Sequence, residues 1–156
     1  MHVNFDGKLI ANQKQNRLTI DGNTRTAWAP VLNTDRTLDP DQPNRLPSDA
    51  VLLLSDKLDY EQVVSRSYDK PVNVLQAKGN ASVRGRLFEA DAQKLRYDDY
   101  SDVMTIEGSS QSDARLRYRE TEKAPPSSLN TGKIRYHLTD GWVQVDEFKS
   151  GSGGLR

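Results

Sequence analysis

Cysteine is missing from all 156 residues. Disulfides, thiolate nucleophiles and Cys-ligated zinc are thereby excluded, while the redox compartment stays open. Histidine is scarce. His2 and His137 are the only two, and no spacing pairs either with a Ser or Asp. Nucleophilic catalysis needs a base oriented by a third group, so no such machinery is legible. The one glycine cluster, Gly151 to Gly154, ends the chain without the strand–loop–helix setting of a phosphate cradle. Long apolar runs are absent too. The longest, Ala50-Val51-Leu52-Leu53-Leu54, is strand-sized and far short of the roughly 20 residues of a membrane span. No signal peptide is visible: Met1-His2-Val3-Asn4 leads straight into sequence that reads as mature domain, and the chain reads as cut from a longer or exported protein. Net charge is zero, 22 basic residues against 22 acidic, which argues against nucleic-acid binding through a broad basic field. Arg and Lys are scattered among Asp and Glu and read as solvated strand faces.

What is present is a phrase said three times: Lys57-Leu58-Asp59-Tyr60, Lys94-Leu95-Arg96-Tyr97 and Lys133-Ile134-Arg135-Tyr136, with starts 37 and 39 residues apart. A second phrase alternates with it: Leu18-Thr19-Ile20-Asp21-Gly22, Leu75-Gln76-Ala77-Lys78-Gly79 and Met104-Thr105-Ile106-Glu107-Gly108. Val143-Gln144-Val145-Asp146-Glu147 is a further copy without the glycine. Self-similarity at this period marks a stacked repeat architecture. A thin sheet in which each repeat touches only its neighbours also accommodates the low hydrophobic content of 35%.

Both phrases have period two. Apolar side chains alternate with Thr19, Asp59, Gln76, Arg96, Thr105, Arg135 and Gln144, the signature of half-buried strands. No longer stretch carries a helical stripe; Tyr60 to Tyr68 is a partial rival, a turn of helix before Lys70-Pro71. Asp98-Asp99-Tyr100-Ser101-Asp102 and Leu138-Thr139-Asp140-Gly141 read as hairpin turns. Each repeat is therefore a hairpin, and Gly22, Gly79 and Gly108, each ending a strand, fit corners or bulges. The chain begins in mid-repeat, at a strand with no preceding Lys-Leu-x-Tyr phrase. One domain is expected over 1–149, interrupted by a Pro-rich loop at 30–47 and a shorter break around Ala124-Pro125-Pro126. Residues 150–156 read as a flexible tail.

Glu89-Ala90-Asp91-Ala92-Gln93-Lys94-Leu95-Arg96-Tyr97, followed by a turn and Met104-Thr105-Ile106-Glu107-Gly108, resembles a repeat of the OstA-like family. Leu75-Gln76-Ala77-Lys78-Gly79-Asn80-Ala81-Ser82-Val83 is similar to that family's A-x-G-N-V phrase. The resemblance covers roughly Leu52 to Phe148, with a weaker copy over Phe5 to Val31; the Pro30–Pro47 insertion departs from it. These are β-jellyroll domains of lipopolysaccharide transport. The resemblance implies an all-β fold, a folded-over antiparallel β-jellyroll (a solenoid-like β-taco) built from hairpin repeats. It also implies a non-enzymatic periplasmic module that carries lipopolysaccharide-like glycolipid in an apolar groove during outer-membrane biogenesis. Its partners would be the glycolipid and other OstA-like domains, or further copies of itself, joined end to end by β-augmentation. No cofactor is implied.

The expected groove lining is the apolar face: Leu18, Ile20, Leu58, Tyr60, Leu75, Ala77, Leu95, Tyr97, Met104, Ile106, Ile134, Tyr136, Val143 and Val145. Alternation alone fits a filled core equally well, so a structural β-solenoid scaffold without lipid cargo is the competing reading. Tyr60, Tyr97 and Tyr136 are either rim residues with wet hydroxyls or packing residues near the turns. Lys57, Lys94 and Lys133 either meet anionic headgroups or lie on a solvent face. Asp98, Asp99 and Asp102 form the densest acidic cluster, but without the spacing of a calcium loop they read as a solvated turn. A glycan-acting enzyme would need paired carboxylates on one face, and no pair recurs at a groove-like position.

Overall fold

The computed structural model describes residues 1–29, 38–64 and 70–147. Among them eleven strands form one antiparallel sheet, and there is no α-helix. The strands are β1 (His2–Asn4), β2 (Lys8–Asn12), β3 (Arg17–Trp28), β4 (Val51–Val63), β5 (Val72–Arg84), β6 (Phe88–Asp98), β7 (Val103–Glu107), β8 (Ala114–Tyr118), β9 (Ser127–Thr131), β10 (Lys133–His137) and β11 (Val143–Glu147). Short 3-10 turns at Gln13–Gln15 and Pro43–Arg45 interrupt the connections.

Pairing follows one rule. Strands β3 to β6 each span two limbs, with a register shift between the halves of every pair. The shorter strands join end to end to do the same. β1 pairs with the later half of β3 and β2 with the earlier half. β8 pairs with the first half of β6 and β7 with the second, while β9 pairs with β8 and β10 with β7. The sheet is thus an up-and-down meander of bent rungs: β1/β2, β3, β4, β5, β6, β7/β8, β9/β10 and the half-rung β11. Limb one holds the halves around Thr24–Trp28, and limb two those around Arg17–Asp21. The architecture is all-β and agrees with the folded-over jellyroll that the resemblance implied.

In limb two the repeats stack in register. Ile20, Leu58, Ala77, Leu95, Ile106, Ile134 and Val145 are successive partners across the sheet. Leu18, Tyr60, Leu75, Tyr97, Met104, Tyr136 and Val143 form the next inward row. Between them runs the outward row Thr19, Asp59, Gln76, Arg96, Thr105, Arg135 and Gln144. A one-residue slip would turn every inward side chain outward, so this alternation fixes the register. Leu58, Ile106 and Ile134 are almost wholly buried, each burial worth about 1.5–3 kcal/mol. Limb one repeats the scheme with smaller residues: Thr26, Leu53, Val83, Ala90, Leu116 and Leu129 form its inward row.

The crease explains the glycines. Gly22-Asn23 and Gly79-Asn80 occupy the same place in β3 and β5, all four with positive φ (110°, 40°, 74° and 43°). Each pair of residues faces a single residue on a neighbouring strand, Asp56 or Gln93, which makes a bulge and bends the rung. A side chain at position 79 would strike the Asp56 carboxylate. Hydroxyls take up groups at the bend. Thr24 Oγ1 lies 2.6 Å from Ser55 Oγ, which donates to the Lys57 carbonyl at 3.0 Å. The inward residues beside the crease are small (Thr24, Ser55, Ala81, Ala92, Ala114, Thr131), so the limbs can close on one another.

Three sequence expectations change. Gly22 and Gly79 do not end strands; the rungs continue through them into limb one. Gly108 does end β7, and there the chain leaves the crease as a loop before β8. The repeat at the start is not missing its partner, because Lys8-Leu9-Ile10-Ala11 in β2 pairs with Leu18–Asp21 as a degenerate copy of the Lys-Leu-x-Tyr phrase. Tyr60 to Val63 is strand rather than helix, and residues 65–69 lie outside the described set. Of the Pro-rich loop, 30–37 also lie outside it. Its later part folds back, and Asp41 binds Arg25 at 2.6 Å and Asn4 at 2.6 Å. The tail at 150–156 is likewise outside.

Candidate functional site

The two limbs meet through aromatic rings. Trp28, at the end of β3 in limb one, stacks on Tyr97 of β6 in limb two, with ring centroids 5.7 Å apart and planes at 27°. Farther along, Phe88 and Tyr118 of limb one approach Tyr136 of limb two at 5.2 and 6.1 Å. Offset or tilted aromatic pairs of this kind add about 0.5–1.5 kcal/mol each beyond burial. Behind the Trp28–Tyr97 pair, between Leu53, Leu75, Val83, Leu95 and Met104, the free space is only about 10 Å³. That is no more than one water needs, so the interior behind the pair is packed. In front of the pair lies a cleft of about 160 Å³, lined by Met1, Trp28, Tyr60, Asn73, Leu75, Tyr97 and Asp99.

The cleft has an apolar wall and a polar lip. The Tyr60 hydroxyl donates to Asn73 Oδ1 at 2.7 Å. Asn73 in turn donates from its backbone and side-chain nitrogens to the two Asp99 oxygens, at 2.8 and 2.6 Å. The Tyr97 hydroxyl donates to Asp102 Oδ1 at 2.9 Å, and Asp102 Oδ2 accepts from the Thr139 amide at 2.9 Å. Burial above all, and then the Asp102 hydrogen bond and the charges of Asp102, Asp99 and Asp98, push the Tyr97 phenol well above its ordinary value. Tyr97 is therefore a fixed neutral donor with its ring on the cleft wall. The apolar wall suits an apolar guest.

All fourteen residues expected to line a groove lie on the inward rows of limb two, but they divide by depth. Ile20, Leu58, Ala77, Leu95, Met104, Ile106, Ile134 and Tyr136 are buried core. Leu18, Tyr60, Leu75, Tyr97, Val143 and Val145 are only partly buried, and of these Tyr60, Leu75 and Tyr97 reach the cleft. The three tyrosines accordingly split. Tyr136 is a packing residue, 2% exposed, whereas Tyr60 and Tyr97 are rim residues with bonded hydroxyls.

Lys57, Lys94 and Lys133 lie on the outward face, away from the cleft. Lys94 and Lys133 grip Glu107 at 3.2 and 3.3 Å. Burial raises the Glu107 carboxyl, but the bonds from both lysines more than reverse this and hold it below its usual value. Of the two readings of these lysines the solvent face holds, with Lys94 and Lys133 paired there to Glu107. Asp98 caps its turn by accepting from the Tyr100 and Ser101 amides. Among the described residues no cluster of His, Asp or Glu could hold a metal. His137 stacks on Trp142 at the β10–β11 turn, with centroids 5.4 Å apart.

Sequence reasoning missed Trp28, the keystone of the mouth. Its signal was present, since Thr24, Thr26 and Trp28 keep the period-two phase of β3. It also treated the arginines as scattered. Arg84, Arg86, Arg117 and Arg119 in fact converge at the tip of limb one, around a hollow of about 220 Å³. The alternation Arg115-Leu116-Arg117-Tyr118-Arg119 was the available signal. Among the described residues no helix is long and apolar enough to cross a membrane. Compared with known proteins, the chain matches no family model and no curated protein.

Proposed function

We propose that this protein is a non-enzymatic periplasmic lipid-binding module of the OstA-like kind, which takes acyl chains of a lipopolysaccharide-like glycolipid between its two limbs. The observation that carries the reading is the apolar cleft at the mouth, continuous with inward rows that run the length of the sheet. Each CH₂ moved from water into such a wall is worth roughly 0.8 kcal/mol. The cleft of about 160 Å³ is small for a multi-chain lipid. Loading on this reading requires Trp28 and Tyr97 to part, with the small residues at the crease as the hinge. The exposed edges, β2 on one side and β9 and β11 on the other, would pair with like domains end to end.

The packed interior favours the second reading, a structural scaffold with a filled core. Site-specific photo-crosslinking to lipopolysaccharide separates the two. A crosslinker at Leu75 or Tyr97 should label, and one at the outward neighbours Gln76 or Arg96 should not. Absence of labelling at all four positions in folded protein would leave the scaffold.

A further inference from the structure

The arginines at the tip of limb one do not line the cleft. Arg84 ends β5 and Arg86 lies in the turn to β6, while Arg117 and Arg119 come from the end of β8. Together they line a hollow whose wall includes the rings of Phe88 and Tyr118. Arg117 Nη1 meets Glu89 Oε1 at 3.2 Å, and Arg84 Nε lies 3.9 Å from Glu89 Oε2. Arg86 Nε binds Glu122 Oε1 at 2.6 Å, and Arg119 Nη1 donates to the Glu122 carbonyl at 3.3 Å. Four guanidinium groups thus face two carboxylates, which leaves two positive charges unbalanced in a concave site. A guanidinium carries five N–H donors. Among the described residues each of these arginines donates at most one side-chain hydrogen bond to a protein acceptor. The side chains of Arg84, Arg86 and Arg117 remain 76%, 54% and 50% exposed, so the other donors face the hollow or solvent. On limb two's outward face Lys94 and Lys133 are held by Glu107, whereas the basic residues lining this hollow are all arginine. Planar forks with spare donors match tetrahedral oxyanions two bonds at a time, which a lysine cannot do.

We infer that this hollow binds a phosphate group, as a phosphomonoester or pyrophosphate. Its position suggests the bearer. Phe88 and Tyr118 wall the hollow on one side and meet Tyr136 inside the mouth on the other. A phosphate held by the arginines therefore sits one ring thickness from the apolar interior, as the headgroup of an anionic amphiphile would. That source rests on the lipid-binding reading above, whereas a soluble phosphate does not.

The test uses the full chain with Trp142→Phe, which leaves Trp28 as the sole tryptophan. Inorganic pyrophosphate is titrated while arginine Nε–H resonances are followed by NMR. Flotation is measured with phosphatidylcholine vesicles with and without phosphatidic acid. Arg84→Gln/Arg119→Gln, both on exposed side chains, should weaken phosphate binding by about tenfold or more. Arg96→Gln on limb two should leave it unchanged. Tighter binding to phosphatidic acid vesicles than to pyrophosphate identifies a lipid headgroup; equal or weaker vesicle binding identifies a soluble phosphate. No binding of either probe, or equal loss in the Arg96 variant, overturns the site. An uncharged alkyl maltoside that shifts Trp28 fluorescence while phosphate fails sinks the arginine site and leaves the groove. Phosphate binding without any maltoside effect does the reverse.

Discussion

Among the described residues, Asp59 is the only acidic residue that is buried, at 4% exposure, although it sits on the outward row. It accepts from Thr19 Oγ1 at 2.6 Å and pairs with Arg17 at 3.1 Å and Lys78 at 3.2 Å, so its carboxylate ties β3, β4 and β5 together. Burial alone would raise its pKa; the bonds from Thr19, Arg17 and Lys78 and the Arg17 charge overcome this and lower it. A folded pKa below the unfolded value means stability that is complete above about pH 4 and is lost as pH falls through the folded pKa. Asp59→Asn should therefore cost about 1–3 kcal/mol at neutral pH and flatten the decline in acid. Denaturation midpoints from neutral pH to about 2 check both parts, and parallel acid limbs for the two proteins would refute the role. Thr26 is the opposite case. It is fully buried in the inward row of limb one, and its hydroxyl has no hydrogen-bond partner. Replacing it by the similarly shaped Val removes a desolvated polar group, so Thr26→Val should raise stability by about 1 kcal/mol, read as a higher melting temperature. A lower melting temperature would mean that the hydroxyl is satisfied after all.

For the single rung, the bend is the costly feature. Gly79 combines φ of 74° with a contact that any Cβ would violate, so Gly79→Ala should lose about 1–3 kcal/mol. Asn80→Gly, at a φ that glycine adopts freely, should change stability by less than about 1 kcal/mol. Urea unfolding of the two variants decides this, and equal losses would place the constraint elsewhere. The bend also sets how far the sequence could be read. Limb two was legible because Leu58, Leu95, Ile106 and Ile134 alternate with Asp59, Arg96, Thr105 and Arg135, a contrast no helix would sustain. Several inward positions of limb one carry Thr24, Thr26, Ala81, Ala90, Ala92 and Ala114 between larger residues such as Leu53 and Leu116, and these small side chains mute the same period. A rung that crosses both limbs therefore read as one short strand ending in glycine. The cleft was half legible for a related reason. Tyr60, Leu75 and Tyr97 belong to the repeated phrases, but Trp28 comes from the muted limb, and its stacking partner lies 69 positions away in the chain.

For the whole molecule, every rung pairs in the sheet only with the rung before it and the rung after it, so the two ends of the stack carry the exposed edges. On β2, Leu9 is 50% and Ile10 59% exposed, an apolar edge of the kind proteins normally blunt with charge. If this edge docks on the far edge of another copy, sedimentation should show concentration-dependent association that Ile10→Lys suppresses. A wild-type protein that stays monomeric at high concentration would remove β2 as a docking edge. Nearest-neighbour stacking has another effect, on how the protein comes apart. Stability becomes a chain of rung-to-rung increments, and the ends can peel while the middle holds. Amide hydrogen exchange should then form a gradient, fastest in β1, β2, β9 and β11 and slowest in β4 and β5. A uniform rate throughout would mean that the sheet opens as one unit. Under such a gradient the molecule has no single unfolding event. It behaves like a zipper with two sliders, and a partner that caps either end acts as a stop.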